Sequence, residues 1–167
     1  MAELTTQERL QPSLLDRLTD DEPAKSEEGR DKRVISSARL RECVARDMSW
    51  LLNCVNLEAS VDLELYPDVA RSVLNFGIPD LTGAALSGID TEKLQRRIRE
   101  AILAFEPRLT ASSLRVTVRA NSARMDRRSL MFDIESEMWA QPIPLNLYLK
   151  TEMDLETGKL AVSESLG

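Results

Sequence analysis

Residues 91–120 read TEKLQRRIREAILAFEPRLTASSLRVTVRA, and within them the spacing of apolar residues changes once. Up to Phe105 the apolar side chains recur three or four positions apart, which is typical of one face of a helix, and Asp90 is a suitable N-cap. Beyond Pro107 they alternate with polar residues, which is typical of a half-buried strand. This stretch therefore predicts a helix that ends at the Glu-Pro junction and is followed by a strand.

The alternation continues after residue 120. Two further runs, 130–138 and 145–150, show it, and the turn-forming sequence Glu156-Thr157-Gly158 leads into a shorter run at 159–162. The acidic side chains of the run 130–138 would face Arg115 and Arg119 if the first two runs paired as an antiparallel hairpin. The pattern predicts three strands and a fourth at the C-terminal end.

Helical spacing dominates the chain before residue 91. An amphipathic helix is predicted from Ser37 onward, and a second, short helix is predicted between Pro67, which suits a first helical position, and Gly77, which suits a stop. The apolar stripe of the longer helix consists of Leu40, Val44, Met48, Leu51, Leu52 and Val55. Helices followed by strands indicate the α+β class, with N-terminal amphipathic helices packed on a C-terminal antiparallel sheet of three to four strands.

The first 33 residues differ in composition from the rest. Leu14, Leu15 and Leu18 would share a face of a short helix capped by Ser13, and residues 19–32 are dominated by acids, lysine and small residues, as in a flexible linker. The predicted organisation is an arm at 1–33, a single domain at 34–163 and a tail at 164–167. The leucine helix either folds back on its own domain or binds a partner.

Composition excludes several classes of function. The net charge of −6 disfavours nucleic acid and anionic membranes, and the chain of 167 residues has no apolar run near the roughly 20 needed to span a bilayer. Histidine, the commonest general base and metal ligand, is absent. Cys43 and Cys54 would lie on one helix, too far apart for a disulfide, so both are expected to be reduced and buried. We expect a cytoplasmic protein without metal or cofactor.

The triplet Glu106-Pro107-Arg108 breaks a local rule. A glutamate in the last helical turn faces the negative end of the helix dipole, and Pro107 disfavours helical geometry for the residue before it. In an extended segment Glu106 and Arg108 project to the same side and could bind a complementary charged pair on a partner. Charge reversal at either residue would then block binding and leave the fold intact. The alternative is that the two side chains pair within the chain.

A hydrolase is the competing hypothesis. Glu106 could act as a general acid with one carboxylate of the second strand in a muramidase-like cleavage of peptidoglycan. A neighbouring Arg108 would favour the charged form of the glutamate, whereas a general acid must hold its proton. The candidate strand carboxylates are Asp133, Glu135 and Glu137.

Several of these segments, in this order, resemble TssE, a subunit of the bacterial type VI secretion system. The resemblance rests on PSLLDRL at 12–18, on the helix from Leu40 to Leu52, on Tyr66-Pro67 with SVLNFG at 72–77, and on FEPRL at 105–109. TssE is in turn similar to the baseplate wedge proteins of contractile-tailed phages, in which the Glu-Pro-Arg triplet recurs.

The resemblance implies a structural, non-catalytic role in the baseplate of a contractile injection machine. It implies a wedge formed with TssF, TssG and TssK, in which the triplet contacts a helical bundle made by TssF and TssG. It also implies that the C-terminal strands, here the region 145–162, offer an edge to the sheath subunits TssB and TssC and help to start sheath polymerisation, which accords with recognition by strand addition. The baseplate would lie in the cytoplasm, docked at the inner membrane.

Overall fold

The computed structural model describes residues 13–19, 23–24, 36–85, 88–120, 129–139 and 144–164. The predicted acidic linker falls almost entirely outside these residues, as do the last three residues of the predicted tail. The division of the chain into an arm, a domain and a tail therefore stays a prediction.

The α+β prediction is confirmed. Four helices, α1 (Leu14–Leu18), α2 (Ser37–Asn53), α3 (Pro67–Ala70) and α4 (Thr91–Phe105), precede four strands in the described part of the chain. The strands are β1 (Arg115–Ala120), β2 (Ser129–Met138), β3 (Leu145–Asp154) and β4 (Leu160–Glu164), and they form one sheet in the order β1-β2-β3-β4.

Side-chain caps begin three of the helices, and those at Ser13 and Asp90 were predicted from the sequence. Ser13 accepts a hydrogen bond from the backbone of Asp16, Ser36 caps α2 in the same way, and Asp90 caps α4 by accepting from the backbone of Lys93. These bonds satisfy backbone N–H groups that the first turn of a helix leaves without partners.

All strand pairs are antiparallel, and their register carries the predicted charge pairing in part. Arg115 lies opposite Glu135, as expected. Arg119 lies opposite Met131 and reaches Asp133 diagonally at 3.5 Å. Because residues two apart share a face of a strand, the apolar side chains of the sheet meet α2 and α4 on one face, and the charged ones lie on the other.

Two predictions for the helices are wrong at their ends. Helix α2 ends at Asn53, so Val55 lies beyond it and is 56% exposed, while Cys54 is the C-cap and is only half-buried. Cys43 is buried and free, as expected. The short helix expected to run from Pro67 to Gly77 ends at Ala70, and a single 3-10 turn at Val73–Asn75 follows it.

Gly77 is not a helix stop but a point of close approach between two segments. Its φ of +130° is a conformation that favours glycine, and a Cβ there would lie 2.4 Å from the carbonyl oxygen of Cys54. The N–H of the next residue, Ile78, donates to the carbonyl oxygen of Cys54 at 2.9 Å, and its carbonyl oxygen accepts from the N–H of Asn56 at 3.0 Å. Val55, two residues after the end of α2, and Ile78, directly after Gly77, thus form a short parallel bridge.

Amide side chains from two helices cap the outer edges of the sheet. Asn53 donates to the carbonyl oxygen of Leu160 and accepts from its N–H, both at 3.0 Å, as a neighbouring strand would. Gln95 accepts from the N–H of Val118 on β1 at 2.9 Å. Native proteins protect edge strands in this manner because unpaired backbone groups invite pairing with other chains.

Candidate functional site

The Glu-Pro-Arg triplet lies where α4 gives way to extended chain, as predicted. Glu106 is the C-cap of α4, with φ −123° and ψ 79°, outside the helical region. The carbonyl oxygen of Arg108 accepts from the N–H of Trp139, and beyond the triplet the N–H of Thr110 donates to the carbonyl oxygen of Glu137, each at 2.8 Å. These bonds to the end of β2 hold the triplet in one backbone geometry.

Glu106 and Arg108 pair with each other, which is the alternative that the sequence left open. Glu106 is 3% exposed. Its Oε1 accepts from Nε of Arg108 at 2.6 Å and from the backbone N–H of the same residue at 3.1 Å, and its Oε2 accepts from Nη2 at 2.5 Å. A bidentate pair of this kind fixes the direction of both side chains.

The ion pairing continues from Arg108 into α2 and the N-terminal arm. Nη2 of Arg108 also donates to Oδ2 of Asp47 at 2.5 Å, and Oδ1 of Asp47 lies 2.7 Å from the guanidinium of Arg46. Arg46 in turn binds Oδ1 of Asp16 in α1 at 2.7 Å, and Ser13 donates to Oδ2 of that carboxylate at 2.6 Å. We call Asp16, Arg46, Asp47, Arg108 and Glu106 the charge relay.

The arm helix folds back on the domain, but its leucines are not buried there. Leu14 and Leu18 are 71% and 74% exposed, and Leu15 is 43% exposed. No residue of α1 is buried. The arm is therefore held by its polar side chains, and the leucine face is left toward solvent.

A cleft of about 520 Å³ joins the arm to the triplet. Its apolar lining includes Phe76 and Phe105, whose rings meet edge to face with centroids 5.2 Å apart. Other lining residues are Ser13, Leu15, Asp47, Met48, Trp50, Leu51, Glu106, Pro107 and Arg108. The two sequence features predicted to bind partners thus border one concave surface.

The electrostatics of the relay favour the charged forms of Arg108 and Asp16. Burial alone would lower the pKa of Arg108, but its hydrogen bonds to Glu106 and Asp47 raise that pKa above its ordinary value. Burial alone would raise the pKa of Asp16, but hydrogen bonds from Ser13, Arg46 and Cys43 lower it to about 2. The ion pairs that Arg108 and Asp16 make therefore stay formed at neutral pH.

We expect the arm to detach in acid. The pKa of Asp16 is lowered from 3.8 to about 2 in the folded chain. Its contribution to holding the arm on the domain is therefore complete above about pH 4 and is lost as the pH falls toward 2. After allowance for solvent screening, the contribution is about 1 kcal/mol. Trp50 reports the change because the Arg46 guanidinium lies 5.1 Å from its ring centre. Fluorescence of a Trp139→Phe variant, titrated from pH 6 to 2, measures it.

The control for this titration is Asp16→Asn in the same background. Its Trp50 fluorescence should already match the detached state at pH 6 and should lack the transition between pH 4 and 2. An identical transition in both proteins would show that another carboxylate controls the arm.

Sequence reasoning found the two ends of the site and missed its middle. Asp16, Arg46 and Asp47 are not among the residues that the sequence singled out. No described hydrogen bond or ion pair joins the carboxylate of Glu106 to Asp133, Glu135 or Glu137, and Asp133 pairs with Arg119 instead. No group of three acidic or cysteine side chains among the described residues is placed to hold a metal ion.

A family model described as baseplate wedge protein gp25 matches residues 38–143, which is more than half of the chain. The chain belongs to that family. The match begins in α2, includes the triplet and ends shortly before β3. Among curated proteins and among solved structures, no significant match was found.

Membership of the baseplate wedge family assigns a structural role in a baseplate and implies contacts with other baseplate components. It argues for a non-enzymatic protein. The resemblance to baseplate wedge proteins is confirmed for residues 38–143, which include the triplet. The leucine segment at 12–18 lies before the matched residues, so its resemblance stays a prediction. In the described part of the chain, no helix is both long and apolar enough to cross a bilayer.

Proposed function

We propose that this chain is the TssE-type wedge subunit of a type VI secretion baseplate. It assembles with TssF, TssG and TssK in the cytoplasm, on a baseplate docked at the inner membrane. The family match supports a baseplate wedge. The order of PSLLDRL, SVLNFG and FEPRL along the chain resembles TssE, and this resemblance favours the secretion system over a phage tail.

The observation that carries the docking role is the fixed geometry of the triplet beside the cleft. Glu106 and Arg108 are oriented before any partner arrives, so binding loses little side-chain entropy there. In the described residues Nη1 of Arg108 is buried without a hydrogen-bond acceptor. A buried donor without a partner is costly, and an acceptor from the helical bundle of TssF and TssG would remove that cost.

The exposed leucines of α1 form the second part of the proposed surface. Leu14 and Leu18 are four residues apart on one face of the helix, and Leu15 reaches the cleft that Pro107 also lines. An apolar face held beside the triplet by ion pairs would add buried area to the same contact.

The proposed sheath contact lies at β4. The N–H of Asp154 donates to the carbonyl oxygen of Lys159 at 2.9 Å, so the outward-facing backbone groups of β4 are those of Leu160, Val162 and Glu164. Because the side chain of Asn53 already hydrogen-bonds the N–H and the carbonyl oxygen of Leu160, a strand of TssB or TssC would pair from Val162 onward. This edge is shorter than the region 145–162 considered from the sequence.

We expect Arg108→Lys and Glu106→Gln each to weaken capture of a TssF–TssG complex by at least tenfold, about 1.4 kcal/mol. Lysine keeps the charge but loses the bidentate geometry, and glutamine keeps the shape but loses the charge. Affinity is measured by titrating purified variants against the immobilised complex. Leu14→Ser with Leu18→Ser in the same assay tests the leucine face.

The matched control is Arg97→Lys. Arg97 is also an ion-paired arginine of this region, bound to Glu58 at 2.7 Å, but it lies in the first half of α4 and outside the cleft of the triplet. Its capture should equal that of the unmodified chain. If both triplet variants also bind normally, the docking role is wrong. Peptidoglycan turnover that disappears in Glu106→Gln would instead favour the hydrolase.

A further inference from the structure

The charge relay joins the arm to the triplet through side chains of alternating sign. Its two ends are the most buried: the side chains of Asp16 and Glu106 are 7% and 4% exposed. The side chains of Arg46, Asp47 and Arg108, between them, are 31%, 24% and 23% exposed. Burial of this degree makes the pairs stronger than ordinary surface ion pairs.

The arm depends on this relay for its position. A helix of five residues is not stable alone in water, and α1 buries no residue that could anchor it by apolar packing. Among the described contacts of α1, the Asp16 carboxylate makes the ion pair with the domain. Loss of that carboxylate therefore removes the main contact that holds α1 beside the cleft.

Asp47 couples the two ends because its oxygens serve different arginines. Oδ1 accepts from Nε of Arg46 at 2.8 Å, and Oδ2 accepts from Arg108 at 2.5 Å. When Asp16 is absent, Arg46 has no other carboxylate in the relay than Asp47. We expect Arg46 then to draw the Asp47 carboxylate toward itself, which would change the orientation of Arg108 at the other oxygen of that group.

We propose that Asp16, Arg46 and Asp47 are positioning residues that make the leucine arm and the Glu-Pro-Arg triplet a single docking unit. The inference rests on the proposed function, since it takes the triplet to be the docking element. It goes further because it gives three side chains that need not touch the partner a role in positioning the residues that do. The arm then affects docking through Arg108 as well as through its own leucines.

Asp16→Asn in the full-length chain tests the coupling without a partner. The Nε–H resonance of Arg108, observed by NMR, should shift relative to the unmodified chain because Asp47 is shared differently. The free energy of unfolding from urea titration is measured in parallel, since a purely structural role would lower it and leave the native Arg108 resonance in place. Glu42→Gln, which breaks an exposed ion pair with Arg39 on the same helix, is the control and should leave the resonance unchanged.

A double-mutant cycle tests the effect on docking. Asp16→Asn should weaken capture of the wedge partner about tenfold in the unmodified background and have little effect in the Arg108→Lys background, since coupled residues are non-additive. Equal losses in both backgrounds, or an Arg108 resonance that does not move, would overturn the inference. If Arg108→Lys alone leaves capture unchanged, the proposed function fails and this inference fails with it, whatever the resonance shows.

Discussion

Glu106→Ala should lower the free energy of unfolding of the isolated chain by about 3 kcal/mol. The substitution removes a carboxylate that is 3% exposed and that accepts three hydrogen bonds from Arg108. Arg108 is then left with Asp47 alone, while its Nη1 is already without an acceptor among the described residues. Removing one partner of a buried ion pair lowers the stability of the fold by far more than the intact pair contributes to it.

Urea unfolding followed by circular dichroism measures this loss. Glu42→Ala is the control, because its side chain is 63% exposed in an ion pair with Arg39 and should cost less than about 1 kcal/mol. Equal stabilities of the Glu106 and Glu42 variants would mean that the triplet pair does not contribute to the fold.

The burial of Glu106 also changes how the docking role is tested. From the sequence, charge reversal was expected to block binding and leave the fold intact. In the structure Glu106→Arg would place a second guanidinium against Arg108 in a site with little water, and the chain would be destabilised. Failure of that variant to assemble would not separate docking from folding, which is why Glu106→Gln and Arg108→Lys are the informative substitutions.

Gly77→Ala should cost about 3 kcal/mol, part from its backbone conformation and part from a clash. A Cβ at position 77 would lie 2.4 Å from the carbonyl oxygen of Cys54 and 2.9 Å from the backbone nitrogen of Asn56. Both are backbone atoms, so the segments after α2 and before Ile78 must separate. Phe76 precedes Gly77 and packs on Phe105, so the cleft beside the triplet should widen as well.

Gly83→Ala provides the matched comparison. Gly83 also has a positive φ, +75°, but no atom lies within 4 Å of the Cβ that alanine would add. Its cost should be about 1 kcal/mol, from backbone conformation alone. Thermal or urea unfolding of the two variants gives the difference. Similar losses of unfolding free energy at both positions would show that the close approach of Gly77 to Cys54 does not contribute to stability.

The fold could be predicted because it depends on local pattern. The change of period at the triplet, the caps at Ser13 and Asp90 and the alternation in β2 are all encoded within a few residues of where they act. Val55 was misassigned for the same reason: helical spacing continues past Asn53, and only the bridge to Ile78 ends the helix.

The site could be predicted only at its ends. Its hydrogen bonds connect residues 30 apart, from Arg46 to Asp16, and 61 apart, from Arg108 to Asp47. No periodicity relates residues at such separations. A charged residue on the polar face of α2 has the same sequence signature whether it meets water or a buried partner, so Asp47 carried no local signal.

Asn53, at the end of α2, would fix the register of a strand added to β4. A polypeptide that pairs with an open strand slips most easily by two residues, since such a slip keeps the same faces buried. By occupying both backbone groups of Leu160, Asn53 blocks the slip that would draw an added segment toward the Glu156-Thr157-Gly158 turn. In the proposed sheath contact, every added strand would therefore begin in the same register.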